Sequence, residues 1–148
     1  MNQILPSDIA PQAPSGARVL VAEDMEMNRQ LVQILLSYRG YVVDEAENGL
    51  EVLAAIEHCQ YDLILMDCVM PEMDGYEACR RLREYEAAVG APRTPVIAFT
   101  SNTQEQDRAM CRTVGMDDYL IKPFTADELI NAVERWMQAP GSADRNKA

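Results

Sequence analysis

Residues 61–75 read YDLILMDCVMPEMDG, and this stretch decides the fold. Leu63–Met66 is apolar throughout and ends on Asp67. A short run without alternation marks a strand buried on both faces. Seven residues after Asp67, Asp74 is placed to cap a helix over Gly75–Val89. The same pairing of strand and helix recurs on both sides. Val19–Ala22 and Val96–Phe99 are apolar runs of the same kind. Tyr41–Ala46 is interrupted by Asp44 and Glu45, and Tyr119–Ile121 is short. Glu26–Arg39 carries Met27, Leu31, Ile34, Leu35 and Tyr38 at helical spacing, one face of a helix. Gly49–His58 is a helix with Asn48 at its N-cap, and Gln104–Val114 is a helix stopped by Gly115. After the Ala91–Pro95 loop and the fifth strand, Thr125 and Glu128 form a T-x-x-E capping box for a last helix through Met137.

Five strand–helix units need crossover connections, so the sheet is parallel. Right-handed crossovers place helices on both faces. The mixed second strand and the short fifth strand suit the edges. The expected architecture is an α/β, flavodoxin-like three-layer sandwich with strand order 2-1-3-4-5.

The remaining sequence narrows the function. The chain has 148 residues, 48% of them apolar, with 13 Lys+Arg against 24 Asp+Glu and a net charge of −11. So acidic a surface is unsuited to nucleic acid, which is held by clustered cations, and to anionic membranes. No apolar run approaches the ~20 residues of a membrane span. Met1–Ala10 lacks the basic and apolar regions of a secretory signal. Residues 1–17, with Pro6, Pro11 and Pro14, read as a flexible leader, and 139–148 as a short polar tail too small for an output domain. That leaves one domain over 18–138. Cys59, Cys68, Cys79 and Cys111 contain no CxxC pair, which fits a reduced, cytoplasmic setting and gives zinc no ligand set.

Ligands of open α/β sheets bind beyond the carboxyl ends of the strands. Glu23 and Asp24 follow the first strand, Asp67 ends the third, Thr100 and Ser101 follow the fourth, and Lys122 follows the fifth. Three carboxylates on one rim need a counter-charge. A hard divalent cation such as Mg²⁺ supplies it through oxygen ligands. A phosphoryl group then has a place between that ion, Lys122 and the Thr100 hydroxyl, helped by loop N–H groups.

These residues carry a resemblance. The segments VLVAEDMEMNRQL, ENGLEVL, YDLILMDCVMPEMDGYEACRRLR, PVIAFTSNT and GMDDYLIKPF resemble, in order and spacing, receiver domains of two-component response regulators, above all those of hybrid sensor kinases and phosphorelays. With the intervening helices the resemblance covers residues 18–137. It implies that Asp67 is the phospho-acceptor, taking a phosphoryl group from a histidine kinase or histidine phosphotransfer protein as an acyl phosphate. It implies Mg²⁺, replaceable by Mn²⁺, on Glu23, Asp24, Asp67 and the Val69 backbone carbonyl. Lys122 then pairs with the acceptor and the phosphoryl group, and Thr100 moves to bond a phosphoryl oxygen. The resemblance also puts Tyr119 at the aromatic switch position, so that the helix 4–strand 5–helix 5 face is expected to change and control a partner, a phosphorylation-dependent dimer among the possible outcomes. Asn28, Ser101, Asn102 and Pro123 stand behind these groups, Asn28 bracing the rim and the Lys122–Pro123 bond being cis in such domains.

The acidic pair here is Glu–Asp, a common variant of the family; its longer Glu23 implies a link to the ion through water, and Met25 stands where hybrid-type receivers often carry Asn. By the same resemblance, Val69 and Asn102 occupy positions that guide the hydrolytic water; Val69 offers it no hydrogen bond, which implies a long-lived phosphoryl group. The resemblance implies self-phosphorylation and self-dephosphorylation without turnover of a free metabolite. Three other readings share the fold. A haloacid-dehalogenase-type phosphatase needs an acid where Val69 stands. A flavin site needs a Ser/Thr/Gly-rich loop where EDMEMN stands. A pseudo-receiver interaction module would have lost Asp67, Lys122 or an acid, and none is lost. Of the other candidates, His58 reads as a solvated helix-end residue, Met66, Met70 and Met73 as core and loop filler, and Arg80, Arg81 and Arg83 as a solvated helix face.

Overall fold

A computed structural model describes residues 16–101 and 104–138, so most of the expected leader, the tail and Asn102 lie outside the described residues. The elements alternate as the apolar runs require: β1 (Arg18–Ala22), α1 (Glu26–Tyr38), β2 (Val42–Ala46), α2 (Gly49–His58), β3 (Leu63–Asp67), α3 (Gly75–Val89), β4 (Val96–Thr100), α4 (Glu105–Val114), β5 (Asp118–Ile121) and α5 (Ala126–Gln138). The sheet is parallel with order β2-β1-β3-β4-β5, a flavodoxin-like sandwich.

The strands bury both faces, and their alternation divides the core. Leu20, Ala22, Ile64, Met66, Val96 and Ala98 pack with Val52 of α2, Ala78, Cys79 and Leu82 of α3 and Cys111 of α4. Val19, Val21, Leu63, Leu65, Ile97 and Phe99 pack with Val32 and Leu36 of α1 and Leu129, Ala132, Val133 and Met137 of α5. Every one of these side chains is almost wholly out of water. Removing one large member, as in Leu65→Ala, costs about 2–5 kcal/mol.

The helix ends follow their cap residues. Asn48 accepts from the Glu51 N–H at 2.9 Å and Asp74 from the Glu77 N–H at 2.9 Å. Thr125 and Glu128 satisfy each other's N–H groups at 3.0 and 2.9 Å. Gly115 ends α4 with φ 101°, in the left-handed region a side chain disfavours.

Two expectations are corrected. Met27, Leu31, Ile34 and Tyr38 of α1 face solvent; the buried face is Arg29, Val32 and Leu36. Two apolar stripes exist on this helix, and the sheet takes the one that lets Arg29 reach carboxylates on β2 and the loop after it. Arg80 and Arg81 do lie on the surface with Glu77, but Arg83 does not. Its guanidinium turns inward, donating to the Gly115 carbonyl at 3.0 and 2.7 Å, the Thr94 carbonyl at 2.8 Å and the Asp117 carboxylate at 3.0 Å. The carbonyls before β4 and at the end of α4 need donors, and the several N–H groups of one Arg83 guanidinium serve both, with Arg93 adding a bond to Gly115 at 3.2 Å.

Candidate functional site

The parallel register brings the carboxyl ends of four strands level, with Ala22 beside Met66, Asp67 beside Phe99 and Thr100 beside Ile121. The ladder then continues one residue beyond each strand. The Glu23 N–H donates to Ala46, Cys68 to Phe99 and Lys122 to Thr100, at 3.0, 3.0 and 2.7 Å between N and O. Side chains at these positions are therefore carried on hydrogen-bonded backbone.

Ligand oxygens of Glu23, Asp24 and Asp67 come within 4.8 Å of one another. Glu23 and Asp67 are buried and Asp24 is exposed. Lys122 reaches between the buried two, its Nζ 2.7 Å from Asp67 Oδ2 and 3.0 Å from Glu23 Oε1. The second Asp67 oxygen accepts from the Val69 N–H at 3.1 Å, and Glu23 from the Met25 N–H at 3.1 Å. Burial pushes the Glu23 carboxyl above its usual range, and the Asp67 charge adds to that, against the Met25 N–H and Lys122. Burial disfavours the Lys122 ammonium, but its bonds to Asp67 and Glu23 outweigh it and hold the group above its usual value. One ammonium among three carboxylates leaves an excess of two negative charges. The donor set, all oxygen, fits a hard divalent cation.

Thr100 is buried on this rim, and Ser101 is exposed. Lys122–Pro123 is cis. Tyr119, half-buried on β5, lies under Arg108 of α4, the guanidinium carbon 5.3 Å from the ring centre. Asn28 does not bond the carboxylates; its amide donates to the Met25 sulfur at 3.5 Å. It lines a cavity of about 490 Å³ that opens beside Lys122 and is walled by Leu31, Val32, Ser101 and Phe124. His58 is exposed at the end of α2, and Met66, Met70 and Met73 are buried.

Four residues escaped the sequence reading. Arg29 donates to the Glu23 carbonyl at 2.8 Å and to Glu45 at 2.9 Å, clamping the loop that carries the acidic pair. The signal was a lone cation on the face of Val32 and Leu36. Gly75 and Gly49 grip the loop after β3: a Cβ on Gly75 would strike the Asp67 carbonyl, and one on Gly49 would lie 2.6 Å from the Met73 carbonyl. Arg108 has no signal in a single sequence, because only the fold sets it over Tyr119.

The family described as Response regulator receiver domain matches residues 19–134. Hybrid signal transduction histidine kinase B of Dictyostelium discoideum is 39% identical over 127 residues, 80% of this chain and 6% of that protein. The chain spans 6% of that protein's length, and 46% of the length of Transcriptional regulatory protein ResD of Bacillus subtilis, 39% identical over 117 residues. The receiver domain of sensor histidine kinase PA1611 from Pseudomonas aeruginosa PAO1, with magnesium in its active-site cleft, superimposes with TM-score 0.75 at 38% identity, covering 84% of this chain and 100% of that one. The receiver domain of Saccharomyces cerevisiae Ssk1, crystallised with the histidine phosphotransfer protein Ypd1, gives TM-score 0.78 at 26% identity, covering 83% and 90%.

Proposed function

The chain belongs to the response regulator receiver family, and from that premise we propose that Asp67 accepts a phosphoryl group from a phosphohistidine of a kinase or phosphotransfer protein. The observation that carries this reading is the placing of Asp67: buried, one oxygen on the Val69 N–H and the other on Lys122, with Glu23 and Asp24 beside it. An Asp67 oxygen attacks phosphorus in line as the P–N bond breaks, and the imidazole nitrogen takes the bonding pair. Lys122 then shifts its donation to the phosphoryl oxygens. The Thr100 hydroxyl, on the same rim, adds a donor.

Glu23, Asp24, Asp67 and the Val69 carbonyl would hold Mg²⁺, with Mn²⁺ as a substitute of like ligand preference. When bound, the ion neutralises charge on the transferring group. The same groups support phosphorylation from a small donor and slow hydrolysis of the product, without turnover of a free metabolite. Val69, whose side chain is 74% exposed and apolar, supports a long phosphoryl lifetime, since it cannot orient the hydrolytic water. Asn28, Ser101 and Pro123 border the site, and Asn102 belongs to the same proposal from its sequence position.

The exposed stripe of α1 supports docking of the donor beside the site. Met27, Leu31, Ile34 and Tyr38 are 80, 54, 63 and 58% exposed, and the helix starts directly after Met25. A partner that sets an apolar helical surface against this stripe would present its histidine to Asp67. The phosphorylation signal would leave through Tyr119 and the α4–β5–α5 face, toward a downstream protein or a second copy of the chain. A cytoplasmic setting is part of this reading, supported by the free thiols and by a donor charged from ATP. Among the described residues no helix is long and apolar enough to cross a membrane.

The test is intact mass after incubation with acetyl phosphate, with and without Mg²⁺. The expected result is a Mg²⁺-dependent gain of about 80 Da, labile to base and absent in Asp67→Asn. No adduct in any sample would refute the reading and favour a pseudo-receiver.

A further inference from the structure

The turn between β2 and α2 supplies no oxygen to the acidic cluster, yet it is bonded to both loops that do. On one side the Ala46 carbonyl accepts from the Glu23 N–H at 3.0 Å. Arg29 of α1 adds a second tie. Its guanidinium is buried and forks, Nη1 donating to the Glu23 carbonyl at 2.8 Å and Nε to the Glu45 carboxylate at 2.9 Å, with Glu47 3.8 Å from Nη2. Arg29 thereby holds the peptide unit that joins Glu23 to Asp24. On the other side the Gly49 N–H donates to the Met73 carbonyl at 2.8 Å, in the loop that follows Asp67 and Val69. That loop turns tightly at Glu72, where the Met73 N–H returns to the Pro71 carbonyl at 2.7 Å and Glu72 has φ 67°. A residue other than glycine keeps a left-handed backbone only where its surroundings hold it. The hold is close, since a Cβ on Gly49 would lie 2.6 Å from the Met73 carbonyl. The turn itself is fixed to the start of α2: Glu51 accepts the Glu47 N–H at 2.8 Å and gives its own N–H to Asn48 at 2.9 Å.

We propose that residues 45–49, linked to α1 through Arg29, position the cation site: they set the separation of the Glu23–Asp24 pair from the Asp67–Val69 loop, and through it the affinity for a divalent cation. This rests on the reading of Glu23, Asp24 and Asp67 as a Mg²⁺ site. Mg²⁺ demands near-ideal geometry of its oxygens, so a site carried on two loops needs both held at the right spacing. Arg29 is a positioning residue and not a ligand. By charge alone it opposes a second cation nearby. Its shape gives the reason for its presence. A planar guanidinium donates to a carbonyl and a carboxylate in different directions at once, whereas a lysine ammonium places the same charge at one point. Charge and positioning therefore predict different results. By charge, Arg29→Gln tightens Mg²⁺ binding and Arg29→Lys leaves it unchanged. By positioning, both weaken it.

The experiment titrates Mg²⁺ into the full chain, read by calorimetry and by amide chemical shifts, for the wild type, Arg29→Lys, Arg29→Gln and Gly49→Ala. None of these removes a ligand. The dissociation constant is expected to rise about tenfold in each, the lower end of what residues supporting a metal site contribute. Leu36→Ala lies on the same buried face of α1, two turns further along. It should lower the urea midpoint and bind Mg²⁺ as the wild type does. Acetyl phosphate uptake should divide in the same way: the half-saturating Mg²⁺ concentration rises with the dissociation constant, and the rate at saturating Mg²⁺ stays near that of the wild type. Unchanged affinity in Arg29→Lys and Gly49→Ala, tighter binding in Arg29→Gln, or an equal loss of affinity in Leu36→Ala would overturn the inference, as would a wild-type chain that binds no Mg²⁺. The Asp67 reading fails separately, as a wild-type chain that binds Mg²⁺ and takes up no phosphoryl group.

Discussion

Lys122→Met tests the electrostatics of the rim directly. The substitution keeps most of the apolar stem and removes the ammonium that lies 2.7 Å from Asp67 and 3.0 Å from Glu23. Breaking a fully buried pair by deleting one partner costs about 3–5 kcal/mol, and an exposed pair contributes about 0–1 kcal/mol. Here the lysine side chain is 24% exposed while the carboxylates are 7% and 2% exposed. The expected loss lies between the brackets, at about 2–3 kcal/mol. It is read by urea unfolding at neutral pH in a chelator. Two further outcomes separate charge repulsion from lost packing. Millimolar Mg²⁺ should recover most of the loss, because a divalent ion replaces the missing positive charge. Adding Asp67→Asn should recover about 1 kcal/mol or more, because it removes one of the carboxylates left facing each other. The pH dependence has a definite sign. Glu23 is held above its usual value of 4.5, so its protonation favours the folded state. That contribution is full below the usual value and is lost as the pH rises through the raised one. Loss of Lys122 raises Glu23 further, so the variant's deficit should narrow on acidification. A deficit that neither Mg²⁺ nor Asp67→Asn reduces would refute the reasoning and assign the loss to packing.

Three further outcomes are expected. Gly75→Ala forces α3 away from the Asp67 carbonyl; a loss of about 2–4 kcal/mol in thermal or urea unfolding, with slower acetyl phosphate uptake, is expected, and a wild-type midpoint would count against the close approach. Arg108→Ala removes the cation over the Tyr119 ring. Such contacts contribute about 0.5–2 kcal/mol, so the ring should turn inward more readily, seen as tyrosine resonances shifted toward the phosphorylated spectrum before any donor is added. Leu31→Asp or Ile34→Asp on the exposed face of α1 should slow transfer from a phosphohistidine protein about tenfold or more; uptake from acetyl phosphate, which needs no docking, should stay unchanged, and equal slowing of both would remove α1 from the interface.

The legible parts of this fold are those in which one segment suffices. Leu63–Met66 and Val96–Phe99 can only be strands buried on both faces, and Asn48, Asp74, Thr125 and Glu128 mark helix starts because a cap is a contact within four residues. Glu23, Asp67, Thr100 and Lys122 were legible as a rim because a parallel sheet aligns strand ends. What failed needed knowledge of the partner surface. Helix α1 carries two apolar stripes, and periodicity counts both without saying which the sheet will cover. The competing stripe wins through Arg29, whose partners Glu45 and Glu47 lie on and just after another strand. Arg83 was misread for the same reason: the carbonyls it serves are 32 and 11 residues away. Asn28 stands beside the acidic pair, and its amide donates to the Met25 sulfur in the loop that follows that pair.

Arg83 sits at the end of the sheet opposite Asp67. Through it α3 is riveted to the residues that precede β4 and to the turn that closes α4, and Arg93 adds a second cation on Asp117 at 2.6 Å. In mechanical terms this is a fulcrum. With the closing turn of α4 pinned, a disturbance at the proposed phosphoryl end would turn the helix about that fixed point. The lever arm is the length of α4, ten residues or about 15 Å at the rise of an α-helix. In the proposed switch, a displacement near Thr100 would then act at the far end of that arm, beside the surface that carries Tyr119.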